Sequence, residues 1–106
     1  MANQFGVRLK QLRLEKNLLQ RQVASALEID TPMLSKIERG ERKAKKEQVL
    51  VFAKLYKVNK EELLTLWLAD QVVEVVQNED FALKAMQVAE NEVKYLKRLH
   101  NEFRTT

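Results

Sequence analysis

The sequence contains no cysteine and no long uninterrupted apolar run. The absence of cysteine excludes a disulfide framework and a thiolate metal site, and nothing favours an oxidising compartment. The most apolar stretch, residues 63–76, is interrupted by Asp70, Gln71 and Glu74, which argues against a membrane span. The first residues enter an amphipathic pattern rather than a signal peptide. We therefore expect a cytoplasmic protein with no membrane partner.

Glycine and proline are also rare, with two and one in 106 residues, and no run of alternating β-branched residues is present. Hairpins and strands are therefore not expected, and the sequence predicts an all-α fold. A single histidine and the lack of a glycine-rich phosphate loop leave little from which to build a catalytic constellation. We expect no enzymatic activity, no cofactor and no metal.

Charge is distributed unevenly along the chain. Residues 1–46 hold 11 Lys and Arg against 5 Asp and Glu, whereas residues 47–106 hold 8 against 10. A basic segment attracts a phosphate backbone, and an acidic segment is repelled by it. Any binding to a polyanion is therefore expected in the first half of the chain.

The spacing of apolar residues predicts six helices. The predicted ranges are 4–16, about 20–27, 31–40, a fourth helix ending near 57, a fifth starting after 59 and ending near 78, and 80 to about 103. Local signals support the boundaries. Asp30 and Asn59 are predicted N-caps, Pro32 fits a first turn, and Asn17 and Gly40 suit the residue after a helix end.

Residues 18–40 predict a short helix, a three-residue turn and a second short helix. Leu34 and Ile37 are expected to face the core. The opposite face is expected to leave five side chains free: Thr31, Met33, Ser35, Lys36 and Arg39. The major groove of B-DNA is wide enough to admit one α-helix. A helix that is anchored to the core on one face can then present polar side chains on the other face to the base edges.

At these residues the chain resembles the phage-repressor and Cro-like (Xre-type) helix-turn-helix family of transcriptional regulators. The resemblance covers roughly Phe5 to Leu64. It rests on residues 9–13, on Gln20 and Ala24, on the segment 34–40 (Leu-Ser-Lys-Ile-Glu-Arg-Gly) and on Leu63 and Leu64. It implies a five-helix DNA-binding domain like that of lambda repressor and a double-stranded DNA operator as the partner.

The resemblance also implies residue roles. Bases would be read by Thr31, Pro32, Met33 and Lys36. Phosphates would be held by Gln20, Ser35, Arg39, Arg42 and Lys43, and Gln20 would also brace the recognition helix. Arg13 would pair with Glu38 to fix the pose of that helix. Three positions depart from the family pattern, namely Leu19 before the second helix, Glu28 in the turn and Ala44 after the basic loop.

The last predicted helix carries a heptad-like seam, which the core of the first five helices does not need. We expect residues 1–68 to form the DNA-binding domain and residues 69–106 to be a dimerisation extension. The residues expected at the dimer contact are Trp67, Val72, Val76, Met86, Ala89, Val93, Leu96 and Phe103. His100 lies on the same seam and is expected to pack there.

The predicted function is a transcriptional regulator that reads a palindromic or pseudopalindromic operator as a homodimer. Two alternatives stay open at this point. The chain could be an antitoxin that binds DNA and holds a toxin with its last helices, or a helical protein-interaction module that does not bind DNA. A further protein partner is not identified by these residues.

Overall fold

A computed structural model describes residues 2–105 and the side chains of residues 2–103. The described chain is helical, with no strand in that range, as the composition predicts. The helices are α1 (Gln4–Glu15), α2 (Gln20–Leu27), α3 (Thr31–Glu38), α4 (Lys46–Tyr56), α5 (Lys60–Val76) and α6 (Ala82–Thr105). The all-α prediction is therefore confirmed.

The N-terminal ends of α3 and α5 follow from local side chains. Oδ1 of Asp30 accepts a hydrogen bond from the backbone N–H of Met33 at 2.8 Å, and Oδ1 of Asn59 accepts one from Glu61 at 2.8 Å. Each bond satisfies an N–H that the helix itself leaves without a partner. Both predicted N-caps are therefore confirmed.

Several boundaries differ by a residue or two from their predictions, among them the start of α6, which is Ala82 and not residue 80. Helix α1 ends at Glu15, with Lys16 as the C-cap and Asn17 in the left-handed region at φ 56°. Helix α3 ends at Glu38, two residues before the predicted stop, and the left-handed Gly40 (φ 77°) turns the chain. Helix α4 begins at Lys46 and ends at Tyr56, one residue before the predicted end near 57, with Lys57 as the C-cap.

The departures from the family pattern are accommodated in the backbone. Leu19 offers no capping side chain, but Oε1 of Gln22 accepts a hydrogen bond from the Leu19 N–H at 2.8 Å. Glu28 adopts the left-handed conformation at φ 58°, which costs a non-glycine residue about 1 kcal/mol. A domain of ordinary stability tolerates such costs.

One hydrophobic core joins α1 to the first half of α5. Among its completely buried side chains are Leu9, Val23, Leu34, Val49 and Leu63. Aromatic rings fill the centre: the Phe52 ring meets the edge of Phe5 at 6.2 Å between centroids and stacks on Tyr56 at 5.9 Å. This core holds α3 by the face that carries Leu34 and Ile37.

The chain divides into two compact units, Met1–Glu74 and Val75–Thr106. The first unit contains α1 to α4 and most of α5. The second contains the last residues of α5 and the 24-residue α6. Within the described range, no helix is both long enough and apolar enough to cross a membrane.

Candidate nucleic-acid interface

Helices α2 and α3 and the turn between them form the candidate interface. The left-handed Glu28 ends α2, Ile29 packs against the core, and Asp30 caps α3. Leu34 and Ile37 are buried at 0% and 2% exposure. Because these two residues fix one face of α3, the side chains on its other face are presented outward.

A buried polar cluster attaches the end of α3 to α1 and α2. Glu38 accepts hydrogen bonds from Nε of Arg13 at 2.8 Å, from Nη2 of Arg13 at 3.1 Å and from Nε2 of Gln20 at 3.0 Å. Arg13 also donates to the carbonyl of Leu18 at 3.1 Å. The hydrogen bond to Glu38 raises the pKa of the Arg13 guanidinium, so the guanidinium stays charged. The two residues that the resemblance pairs thus lie together.

Backbone contacts hold the same end of α3. A Cβ atom at Gly6 would lie 2.5 Å from the carbonyl oxygen of Glu38 and 2.7 Å from that of Ile37. Only a glycine in α1 therefore lets the two helices approach this closely. Nδ2 of Asn3 donates to the Glu38 carbonyl at 3.0 Å, which satisfies one of the last carbonyls of α3.

The four predicted base-reading residues do not share one environment. Pro32 and Lys36 are exposed, and Thr31 is half-buried at the start of α3. Met33 is half-buried and packs against the core, so the expectation that its side chain is free is wrong. The reason is its position four residues before Ile37, which places it at the edge of the buried face.

Three of the predicted phosphate-binding residues share a recess. Gln20, Ser35 and Arg39 line a cavity of about 540 Å³, together with Lys10 of α1. Ser35 and Arg39 are not free, in contrast to the prediction, because Nη1 of Arg39 donates to Oγ of Ser35 and Nε of Arg39 pairs with Glu41 at 2.6 Å. Arg39 and Glu41 are about half exposed, so this pair contributes little to stability and is open to exchange with another anion.

Lys36 and Arg42 meet at a second recess of about 150 Å³, beside Asp30, Pro32 and Met33. The chain after α3 folds back to make it, because the N–H groups of Glu41 and Arg42 both donate to the carbonyl of Lys36. Neither Lys36 nor Arg42 forms an ion pair with another residue in the described part of the chain. This recess is therefore lined by two cationic side chains that have no ion-pair partner among the described residues and by the Asp30 carboxylate, which caps α3.

Lys43 points to a different neighbour. Its ammonium lies over the Trp67 ring, 5.6 Å from the centroid, and the indole N–H donates to the carbonyl of Ala44 at 2.9 Å. Trp67 is half-buried and packs against the core. Ala44, one of the positions that depart from the family pattern, thus accepts this hydrogen bond through its backbone carbonyl, and Trp67 packs largely within its own chain.

Asp70 is a further structural residue that the sequence analysis missed. Its carboxylate accepts the N–H of Gln4 at 3.0 Å and the N–H of Phe5 at 2.9 Å, and so it caps the start of α1 from α5. Asn3 and Lys10 were missed as well. Asp70 lies more than 60 residues from its partners, so no local pattern contains this cap.

The side chains expected at a dimer contact lie mostly at the surface. Val72, Val93, Leu96 and Phe103 are exposed, and so is Ala89, whereas Val76 and Met86 are half-buried. Exposed apolar side chains on α6 continue outside the predicted seam, at Leu83, Val88 and Tyr95. A patch of this extent on a helix is typical of a protein contact.

Residues 4–66 match the family model of the helix-turn-helix domain. The match covers more than half of the chain and includes the buried polar cluster, α2, α3 and both recesses. Comparison with curated proteins and with solved structures finds no match.

Proposed function

Because the chain belongs to the helix-turn-helix domain family, we propose that it is a sequence-specific transcriptional regulator that places α3 in the major groove of double-stranded DNA. The observation that carries the proposal is the attachment of α3. Its inner face and last turn are fixed by the core and by the buried Arg13–Glu38 pair, while Pro32 and Lys36 remain outside. A rigidly held helix is what base reading requires.

Base contacts are assigned to the first turns of α3. The helix has eight residues and is about 12 Å long, and its diameter of about 10 to 12 Å with side chains fits the width of the major groove. Lys36 is proposed to donate to the O6 and N7 acceptors of a guanine, and Thr31 and Pro32 to contact neighbouring base edges. Met33 would contribute only the part of its side chain that the core leaves exposed.

Phosphate contacts are assigned to the two recesses. Gln20 lies at the N-terminus of α2, where backbone N–H groups attract an anion, and its amide also holds Glu38. Lys10, Ser35 and Arg39 share that recess, and Arg42 stands at the other one. Lys43, which contacts Trp67, is proposed as a weaker phosphate contact. These residues position the domain on the duplex and do not read its sequence.

The active form is proposed to be a homodimer that reads a palindromic or pseudopalindromic operator in the cytoplasm. Residues 69–106 would be the dimerisation extension, through Val72, Val76 and the exposed apolar side chains of α6. Two-fold symmetry doubles the DNA contacts and places the half-sites about 34 Å apart. A burial of this face in the dimer accounts for its apolar character.

Single substitutions at the second recess test this division of roles. Lys36→Ala should weaken the binding free energy for the preferred site by about 1 to 3 kcal/mol and should change binding to random DNA little. Arg42→Ala should weaken binding equally on both and should lower the slope of log K against log salt by about 0.9 per subunit. Fluorescence anisotropy with both DNAs over a salt series measures these effects, and Lys54→Ala on α4 is the matched control.

Equal losses on preferred and random DNA for both variants would contradict the assignment of Lys36 to bases. If no DNA fragment binds at low salt, the chain is instead a protein-interaction module. A heteromeric complex that forms at the expense of the homodimer would indicate the antitoxin alternative.

A further inference from the structure

We propose that two copies of the chain pair their α6 helices antiparallel, with Ala89 of each copy packed against His100 of the other. This inference rests on the proposed homodimer and adds the direction of its contact. It is carried by the order of large and small side chains along α6 and by the charges beside them.

The seam residues of α6 follow one another at intervals of four and three. They are Ala82, Met86, Ala89, Val93, Leu96, His100 and Phe103. The helix has 24 residues and is about 36 Å long, which allows about three heptads of contact. Val93 and Leu96, near the middle of the seam, are about half exposed. The middle of the seam is thus accessible to a second copy of the same helix.

A parallel pair sets each seam residue against itself. Ala89 would face the partner's Ala89 and leave a thin layer, whereas His100 would face the partner's His100. Two imidazoles would then compete for one layer with their polar nitrogens turned toward each other. Both layers pack poorly, because a seam needs a nearly constant volume in each layer and a partner for each buried polar atom.

An antiparallel pair centred between Val93 and Leu96 avoids a layer of two alanines and a layer of two imidazoles. Ala89 then faces the partner's His100, and Met86 faces the partner's Phe103. Val93 and Leu96 face each other across the centre. Each of these layers combines a smaller with a larger side chain, so the layer volumes vary less along the seam than in a parallel pair. The antiparallel helix dipoles also attract each other.

The charged residues beside the seam agree with this direction. Glu90 and Lys97 follow Ala89 and Leu96, and they therefore occupy the same flank of the helix. In the antiparallel pair Glu90 lies opposite the partner's Lys97, and symmetry gives this contact twice. Within one chain Glu90 already contacts Lys94 at 3.0 Å, with both side chains about two-thirds exposed. An exposed carboxylate of this kind can serve both cations.

Cysteine cross-linking gives a direct test, because the natural chain contains no cysteine. Ala89→Cys and His100→Cys are prepared as separate full-length chains, mixed, allowed to exchange and oxidised gently. The control is Asn91→Cys, which places the thiol on the opposite side of α6. The antiparallel pair predicts a disulfide-linked dimer of unequal chains in the mixture, and little covalent dimer from any single variant. Circular dichroism and sedimentation are recorded for each variant before oxidation.

The possible outcomes distinguish the direction of the α6 pair from the existence of the homodimer. Covalent dimers from Ala89→Cys alone or His100→Cys alone would overturn the antiparallel direction and leave the homodimer in place. Chains that sediment as dimers but form no disulfide in the mixture would also overturn it, since the contact would lie elsewhere. Chains that sediment as monomers at all concentrations would overturn the proposed homodimer itself.

Charge reversal gives an independent readout. Glu90→Lys should raise the dimer Kd about tenfold, because two exposed pairs change from attraction to repulsion. Lys97→Glu in the same chain should restore the Kd. Glu92→Lys is the matched control, because Glu92 would face Lys97 only in the parallel arrangement. A larger effect of Glu92→Lys than of Glu90→Lys would contradict the proposal.

Discussion

Replacing Glu38 by glutamine should destabilise the domain strongly while changing hardly any volume. The side chain is 3% exposed and receives two hydrogen bonds from Arg13 and one from Gln20. Glu38→Gln keeps the shape and one acceptor oxygen but removes the negative charge. The guanidinium of Arg13, 9% exposed, is then left in the interior without its counter-charge.

The size of the effect follows from this burial. Removing one partner of a buried ion pair costs about 3 to 5 kcal/mol, because the remaining charge keeps its desolvation penalty. The free energy of unfolding of a small domain is about 5 to 15 kcal/mol, so this loss is a large part of the total stability. Urea unfolding followed by circular dichroism measures it as a lower midpoint with an unchanged slope.

The chain contains a matched control at nearly the same distance. Arg8 and Glu62 approach to 2.7 Å, but their side chains are 29% and 40% exposed. Glu62→Gln should therefore cost less than about 1 kcal/mol. Equal losses for Glu38→Gln and Glu62→Gln would refute the reasoning, since burial would then not determine the strength of the pair.

Three further substitutions test other contacts. Tyr56 has a buried hydroxyl with no hydrogen-bond partner in the described part of the chain, and burial, reinforced by the charge of Glu38, raises the pKa of its phenol above the usual 10.0. The contribution of this group to stability is complete below pH 10 and is lost as the pH rises above 10, because the phenol ionises first in the unfolded chain. Near neutral pH, the unfolding free energy of Tyr56→Phe should match that of the natural chain within about 1 kcal/mol. At about pH 11, urea unfolding should show that Tyr56→Phe is the more stable of the two. Gly6→Ala should cost about 2 kcal/mol net in thermal unfolding, because the clash with the carbonyls of α3 outweighs the better helix propensity of alanine; an unchanged Tm would contradict the close approach. Asp70→Ala should cost about 1 kcal/mol in urea unfolding and speed hydrogen exchange at the Gln4 and Phe5 amides, and unaltered exchange there would argue against the cap.

Features that depend on neighbouring residues could be predicted from the sequence. Asp30 and Asn59 cap helices through N–H groups two or three residues away, and Gly40 turns the chain next to the helix it follows. The pairing of Arg13 with Glu38 came from the resemblance alone, since the two residues are 25 positions apart. Short-range signals thus predicted the number of helices and their order.

Features that depend on packing could not be predicted in this way. The position of Met33 near Lys36 predicts that its side chain lies on the polar outer face of α3. The side chain is flexible, however, and it packs against the core. The contact between Arg39 and Ser35 competes with any ligand and depends on rotamers that a sequence does not specify. The cap that Asp70 provides joins the two ends of the first unit, so it exists only after that unit has folded.

Selection of bound sites from a random DNA pool tests the central claim most directly. Full-length protein is incubated with the pool at moderate salt, and bound fragments are amplified and sequenced over several rounds. The proposed function predicts an enriched inverted repeat whose half-sites lie about one helical turn apart, and loss of the preferred base at one position per half-site with Lys36→Ala. A pool that stays random after selection, or that yields the same motif with Lys36→Ala, would contradict base reading by α3.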